Sequence, residues 1–269
     1  MFLSQGLKGE LLRLDVIGSG DLQPLTLTNA RHVARLAGLL AADHVLRNPL
    51  LVTDLADRCV VLDGNARLQA ARQIGLPDIL VQHIPMGSVP EPLRLPAWAV
   101  TGVGHEDILR VIEPGFTRVA EVTAASLQLY TPDGARRSLS TDPDSPTDLW
   151  RAYRRMVTAL QSIADLVAIP EWLMSSETAW PDNVSAVMVP PPLSHADVEM
   201  LVREQVRLPW GALQTPLPRR ILGINLSLDV LSAPEPAAEK AAFVRELVRL
   251  RLSERRVHYY DAPVFIVED

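Results

Sequence analysis

One cysteine, Cys59, stands in the whole chain, which excludes an intramolecular disulfide framework and any cysteine-pair zinc site. The six histidines fall at no metal-ligand spacing. His105-Glu106-Asp107 is compact, but adjacent side chains point different ways, and a helix N-terminal turn accounts for it. Long hydrophobic runs are missing as well. The most apolar window, Val33 to Leu46, is interrupted by Arg35, Asp43 and His44 and is too short to span a bilayer. The first twenty residues lack a basic segment followed by an apolar stretch, so no secretory signal is expected. Positive charge is scarce: the formal net charge is −6, whereas a general nucleic-acid binder needs a basic footprint to neutralise phosphates. A cytoplasmic protein without membrane or nucleic-acid partners is the expectation.

The 269 residues are 48% hydrophobic and 22% charged, the balance of a globular protein with one large or two modest domains. Val33, Leu36, Ala37, Leu40 and Ala41 recur at helical spacing after a cap at Thr28 or Asn29. Leu50-Leu51-Val52 and Cys59-Val60-Val61-Leu62 read as strands, and a helix from Asn65 ends at Gly75-Leu76-Pro77. Ile79-Leu80-Val81 begins another strand. These elements predict a mixed α/β sheet domain over residues 1–114. For residues 115–269 an α+β part is expected. It has a hairpin turning at Pro132-Asp133-Gly134 and a helix whose stripe runs Trp150, Tyr153, Val157, Leu160, Ala164 and Val167. A helix capped at Ser194 follows, then a strand over 221–231, a helix over 237–252 and a closing strand over 257–267. Cys59, between hydrophobic neighbours, reads as a small buried side chain. Trp98 and Tyr259-Tyr260 read as packing residues. Arg245, Arg249, Arg251, Arg255 and Arg256 read as a solvated helix face.

The segment Val60-Val61-Leu62-Asp63-Gly64-Asn65-Ala66-Arg67 concentrates the chemistry. A strand leading through Asp-Gly into a helix presents backbone amides and the positive end of the helix dipole, which together favour a phosphate. Gly64 lets backbone approach that phosphate, and Arg67 can fork onto its oxygens. Asp63 can hold a magnesium ion or accept a proton from a hydroxyl. The same residues also allow a purely structural turn, with Asp63 capping the helix and Arg67 solvated.

A longer run resembles the ParB/sulfiredoxin superfamily, and within it the free-serine kinases and their siderophore-cluster relatives. It comprises Val45 to Val52 with its Asn48-Pro49 turn, Val60 to Ala71, Gly75-Leu76-Pro77 and Val81-Gln82. Blocks at Val187 to Pro192, Leu208 to Gly211, Arg220 to Asn225 and Arg256 to Phe265 resemble that family's C-terminal part in the same order. The resemblance implies a ParB/sulfiredoxin-like phosphate-binding domain completed by an α+β C-terminal domain. It also implies Mg2+ with ADP or ATP as cofactor. Asp63 would be the catalytic or magnesium-binding residue, and Gly64, Asn65, Ala66, Arg67, Asn48 and Arg220 would contact nucleotide or phosphate. The implied partners are a nucleotide and an amino-acid-like ligand, with a homodimer left open. Sulfiredoxin chemistry is not expected, because the cysteine it needs after the cradle glycine is Asn65 here.

Four departures qualify the kinase expectation. Thr26 stands where those kinases carry a catalytic glutamate, and a threonine hydroxyl is no general base near neutral pH. Ala66 replaces a His or Asn, Trp98-Ala99-Val100 replaces a Trp-X-His segment, and Gly211-Ala212-Leu213-Gln214 replaces Gly-X-Thr-Arg. Glu10 and Glu91 are acids that could stand in. Two functions are therefore expected as alternatives: nucleotide-dependent phosphoryl transfer to a small hydroxyl compound such as L-serine, or a non-catalytic nucleotide-binding regulatory protein.

Overall fold

The computed structural model describes residues 13–112, 115–119, 126–141, 146–169, 183–211 and 220–257. Within them the chain is mixed α/β and forms two compact units. The first unit takes residues 13–24, 29–89 and 220–257, and the second takes 25–28 and the described part of 90–211.

The first unit is built on a five-stranded mixed sheet. Its strands are β1 (Leu14–Gly18), β2 (Leu22–Pro24), β4 (Leu50–Leu55), β5 (Arg58–Asp63) and β6 (Asp78–His83), in the order β1-β6-β4-β5-β2. The β1/β6 and β4/β5 pairs are antiparallel, while β4/β6 and β2/β5 are parallel. Helix α1 (Ala30–Asp43) starts as expected: the Asn29 side chain accepts from the amides of Arg31 and His32 at 2.9 and 3.1 Å. It buries Val33, Ala37 and Leu40. Helix α2 (Asn65–Gln73) ends in a Schellman motif, with the Leu76 amide on the Ala71 carbonyl at 2.9 Å and the Gly75 amide on that of Arg72 at 3.1 Å. Gly75 takes the left-handed conformation this needs, at φ 74°. Arg72 donates to the carbonyls of Ser19 and Leu22 at 2.6–2.9 Å and so fixes α2 to the turn before β2.

The C-terminal segment belongs to this same unit. Its short strand β13 (Leu226–Ser227) pairs with β3 (Val45–Leu46), and helices α6 (Leu228–Ser232) and α7 (Ala237–Ser253) follow. Leu226, Leu231, Val244 and Val248 join Leu14, Val52, Val61 and Ile79 in one core. Inside it, buried Lys240 reaches Asp78 at 2.6 Å and the Leu231 carbonyl at 3.0 Å, which satisfies an otherwise costly charge. The division expected at residue 114 therefore differs from the compact units. Residues 90–112 side with the second unit, and residues 220–257 return to the first because β13 and α7 bury their apolar faces there.

The second unit carries a six-stranded antiparallel sheet. Its strands are β7 (Ala97–Thr101), β8 (Thr117–Val119), β9 (Leu127–Tyr130), β10 (Arg136–Ser140), β11 (Asp165–Ile169) and β12 (Val184–Val189), in the order β11-β7-β12-β9-β10-β8. Helices α3 (His105–Ile112), α4 (Pro146–Leu160) and α5 (His195–Arg203) complete it. The Pro132-Asp133-Gly134 turn joins β9 to β10 as expected, with Gly134 at φ 81°. Ser194 and Asp197 form a reciprocal capping box on α5. Trp98 is buried and donates from its indole nitrogen to the Tyr153 hydroxyl at 2.9 Å, so it packs as expected.

Two expectations change. The stripe from Trp150 does not continue to Val167: α4 stops at Leu160, and residues 165–169 pair with β7, leaving Val167 exposed. Residues 221–231 are not one strand, because Gly223 and Asn225 sit at φ 72° and 49° and break the extension. The closing strand lies almost wholly outside the described residues. No helix among the described residues is long and apolar enough to cross a membrane.

The β4–β5 hairpin is closed by Ala56-Asp57 between the paired residues Leu55 and Arg58. Both loop residues are left-handed, at φ 50° and 58°, as a two-residue type I′ turn requires. Alanine is poorly suited to that region, at about 1–2 kcal/mol. Replacing the pair by Asn-Gly (Ala56→Asn with Asp57→Gly) is expected to stabilise the fold by about 1 kcal/mol. A higher urea midpoint at unchanged slope is the readout; an unchanged midpoint would show that this turn carries no strain.

Candidate functional site

Strand β5 delivers Asp63 to its C-terminal end, and Gly64 turns the chain into α2 at φ 98°. That conformation belongs to glycine, and space demands glycine too. A Cβ there would lie 2.8 Å from Leu50 Cγ and 3.1 Å from the Arg67 Nη2. The first helical hydrogen bond runs from the Leu68 amide to the Gly64 carbonyl at 2.8 Å. The amides of the preceding turn thus lie ahead of the helical ladder, at the positive end of the helix dipole.

Asp63 does not cap the helix. Its Oδ2 instead accepts from Arg67 at 3.0 Å and from Arg220 at 2.5 Å. Arg67 also donates to the carbonyls of Asn48 and Pro49 at 2.9 and 3.0 Å, so its guanidinium ties the Asn48-Pro49 turn to the cradle. The guanidinium is thus bonded within the protein, unlike the solvated side chain of the purely structural alternative. Arg220 is the more accessible of the two, with its side chain 40% exposed against 21% for Arg67.

The strap from Arg220 to Ser227 is fastened over the same turn. Asn48 accepts the Gly223 amide at 2.8 Å, and Gln82 accepts the Ile221 amide at 2.9 Å. The Asn225 amide bonds the Arg47 carbonyl at 3.0 Å. Arg251 donates to the Ile224 carbonyl at 2.8 Å. That side chain, expected on a solvated face, instead clamps the strap to α7.

The structure thus gathers Asn48, Asp63, Gly64, Asn65, Ala66, Arg67 and Arg220 in one place within the first unit. Two of them turn inward. Asn65 is buried and donates to the Val61 carbonyl at 3.2 Å, and Ala66 packs against the core, so what these two present at the turn is backbone. Gln82 and Arg251 were not expected to position the site. The Val81-Gln82 strand was a signal for the first, while nothing in the sequence marked the second.

Thr26 lies in the second unit. It is buried, and its segment is bridged to Leu208, with the Leu27 amide on the Leu208 carbonyl at 2.8 Å and the Leu208 amide on that of Leu25 at 3.0 Å. Trp98 and Trp210 meet edge to face at 5.7 Å, with Gly211 against the Trp98 ring. Glu91 accepts from the His195 amide at 2.9 Å, at the start of α5. Ala212, Leu213, Gln214 and Glu10 lie outside the described residues.

At the opposite end of β5, Cys59 is half-buried. Burial, and then the carboxylates of Asp54 and Asp15, push its thiol up to about 12, which makes it a poor nucleophile.

No protein-family model matches the chain, and no curated protein matches it by sequence. Solved structures do. SbnI from Staphylococcus aureus, with a C-terminal truncation, aligns at a TM-score of 0.71 and 17% identity, over 89% of this chain and 97% of that one. A glutamate-to-glutamine mutant of a free serine kinase, in complex with AMP, aligns at 0.65 and 12% identity, over 81% and 94%. A conserved hypothetical protein from Pyrococcus furiosus aligns at 0.59 and 11% identity, over 81% and 97%. The chain shares the mixed α/β fold of these structures.

Gly64→Ala is expected to lower stability by at least about 2 kcal/mol, from left-handed strain and the close approach to Leu50. Gly87→Ala, where an added Cβ meets nothing within 4 Å, serves as the control. Equal urea midpoints for the two variants would contradict the close approach at the cradle.

Proposed function

We propose that this chain binds an adenine nucleotide, with its phosphates over the Asp63–Arg67 turn and Arg220 as the cation that reaches them. The observation carrying the reading is the charge balance of the turn. One carboxylate faces two guanidinium groups at a glycine-opened helix N-terminus, which leaves a net positive charge where backbone amides also favour an anion. The fold supports it, since solved structures similar to this chain include free serine kinases in complex with AMP and with ADP.

Each residue then has a definite task. Gly64 admits the phosphate without a side chain in the way. The first-turn amides of Asn65, Ala66 and Arg67 face it. Arg67 holds the turn in shape through Asn48 and Pro49 rather than gripping the ligand. Arg220 exchanges its contact with Asp63 for phosphate oxygens, an exchange between two charge-assisted pairs of similar strength. Asn48 and Gln82 keep the strap in register beneath Arg220.

Magnesium on Asp63 fits this arrangement poorly. Even with Arg220 turned to phosphate, the Oδ2 keeps Arg67 at 3.0 Å, and a dication there would meet that guanidinium's repulsion. The chemistry of this turn is therefore described without a metal.

The second reading is phosphoryl transfer to a small hydroxyl compound such as L-serine, favoured by the fold shared with free serine kinases. Asp63, relieved of Arg220, would be the group to accept the hydroxyl proton. Thr26 contributes no base at the position where the resemblance calls for glutamate, and a missing general base lowers rate by about two to four orders of magnitude. Binding without appreciable turnover is the conclusion this chemistry favours.

Thermal unfolding with AMP, ADP and ATP, with and without magnesium and L-serine, tests the binding. Stabilisation should reach about 2.7 kcal/mol at a hundredfold excess over the dissociation constant. Arg220→Ala should weaken binding by about 10- to 100-fold, the worth of one charge-assisted hydrogen bond. If no nucleotide moves the transition, the cradle does not bind one. The same samples should yield no phosphoserine; turnover by the unaltered protein would establish the second reading.

A further inference from the structure

Three side chains that the nucleotide reading leaves unused converge at the far end of the first unit's sheet. Asp54 on β4, Cys59 on β5 and His83 on β6 each bring one ligand atom within 4.8 Å of the others. Sheet register accounts for the convergence. Asp54 stands directly opposite Cys59, one step beyond the pair that flanks the two-residue turn. In such a hairpin that step is a non-hydrogen-bonded pair, whose side chains stand closest. His83 ends the parallel neighbour of β4, opposite Val52. Its amide bonds the Arg13 carbonyl at 3.0 Å, and the next amide, Ile84, bonds that of Val52 at 2.8 Å, so its backbone is held from both sides.

We propose that Asp54, Cys59 and His83 form a binding site for a zinc-class divalent cation, with three protein ligands and a fourth position open to solvent. The donor set is right for such an ion: one thiolate sulfur, one imidazole nitrogen and one carboxylate oxygen. The spacing suits it as well. Ligand atoms 2.0–2.1 Å from a tetrahedral ion lie about 3.4 Å apart along one edge, and His83 Nδ1 stands 3.4 Å from Asp54 Oδ2. Asp54 is the adjustable member, with its side chain 77% exposed, so it can move toward an ion shared with the other two. The thiol is protonated without the ion, and coordination forms the sulfur–metal bond as the thiol proton leaves to solvent. A dication also reverses the local electrostatics: Asp54 and Asp15 oppose a bare thiolate beside them, but both attract the metal that the thiolate would hold. The ion would bridge β4, β5 and β6, three adjacent strands of one sheet.

Cys59 is the sole cysteine, which makes the test unambiguous. The full-length protein is stripped with chelator and titrated with Co2+, then with Zn2+ in competition. One equivalent of Co2+ should produce the visible bands of a tetrahedral site together with a near-ultraviolet sulfur-to-cobalt charge-transfer band, and Zn2+ should abolish both. Cys59→Ala should remove the charge-transfer band. Asp54→Asn and His83→Ala should each weaken Zn2+ binding by about tenfold or more. Asp54 is exposed, so that variant remains informative even where a core-facing change disturbs folding. Zn2+ should also slow alkylation of Cys59 in the unaltered protein. The proposal is overturned by the lack of a one-to-one complex, by a charge-transfer band that survives Cys59→Ala, or by affinity unchanged in Asp54→Asn. None of these outcomes bears on the nucleotide reading, which rests on the other end of β5.

Discussion

A single carboxylate oxygen organises the first unit. Asp63 Oδ2 accepts from Arg67, four residues away on the adjoining helix, and from Arg220, 157 positions along the chain. The first contact sets the shape of the strand–turn–helix, because the same guanidinium grips the carbonyls of Asn48 and Pro49. The second brings the start of the C-terminal strap to that turn. Exposed ion pairs contribute little to stability, and Asp63 and Arg220 are each more than a third exposed. Their importance is positional. The stability comes from Leu226, Leu231, Val244 and Val248, whose burial carries the returning segment back into the core.

Electrostatics then divides β5 into two unlike ends. The Asp63 end gathers two guanidinium groups and a helix N-terminus around one acid. The Cys59 end gathers a histidine and a thiol with the carboxylates of Asp54 and Asp15. The two lie four residues apart on one strand, roughly 13 Å at strand rise, beyond a Debye length at physiological salt. An anion at one end and a cation at the other therefore interact only weakly across solvent. This arrangement also explains how a chain with a net charge of −6 can still present a positive turn: local geometry, not composition, sets the field that a ligand meets.

How much of this was legible in the sequence follows from how far apart the partners lie along the chain. The cradle was readable because strand, glycine turn and helix are consecutive, so Asp63, Gly64 and Arg67 needed no tertiary information. Arg220 was readable only through a block resemblance. Arg251 was not, because helical spacing cannot say which arginine will find a carbonyl on a strap 27 residues upstream. The compact units part from a division at residue 114 for a related reason. A chain that leaves its unit and returns carries no composition change at the point of return, and β13 is only two residues long.

The Asp54–Cys59–His83 cluster shows the same limit from the side of metal chemistry. Ligand-spacing rules detect sites whose donors sit on one helix, one knuckle or one loop. Here the donors come from three strands, and their juxtaposition depends on a parallel pairing of β4 with β6 as well as an antiparallel hairpin. A one-residue slip in either ladder would send a donor to the opposite face of the sheet. The register is in turn fixed by the buried residues Val52, Val61 and Val81 between these donors and the rest of the core. A lone cysteine and scattered histidines therefore say nothing about metal binding until the sheet that aligns them is known. One cysteine excludes a cysteine-pair site, but a mixed-donor site is a property of register and is invisible to composition.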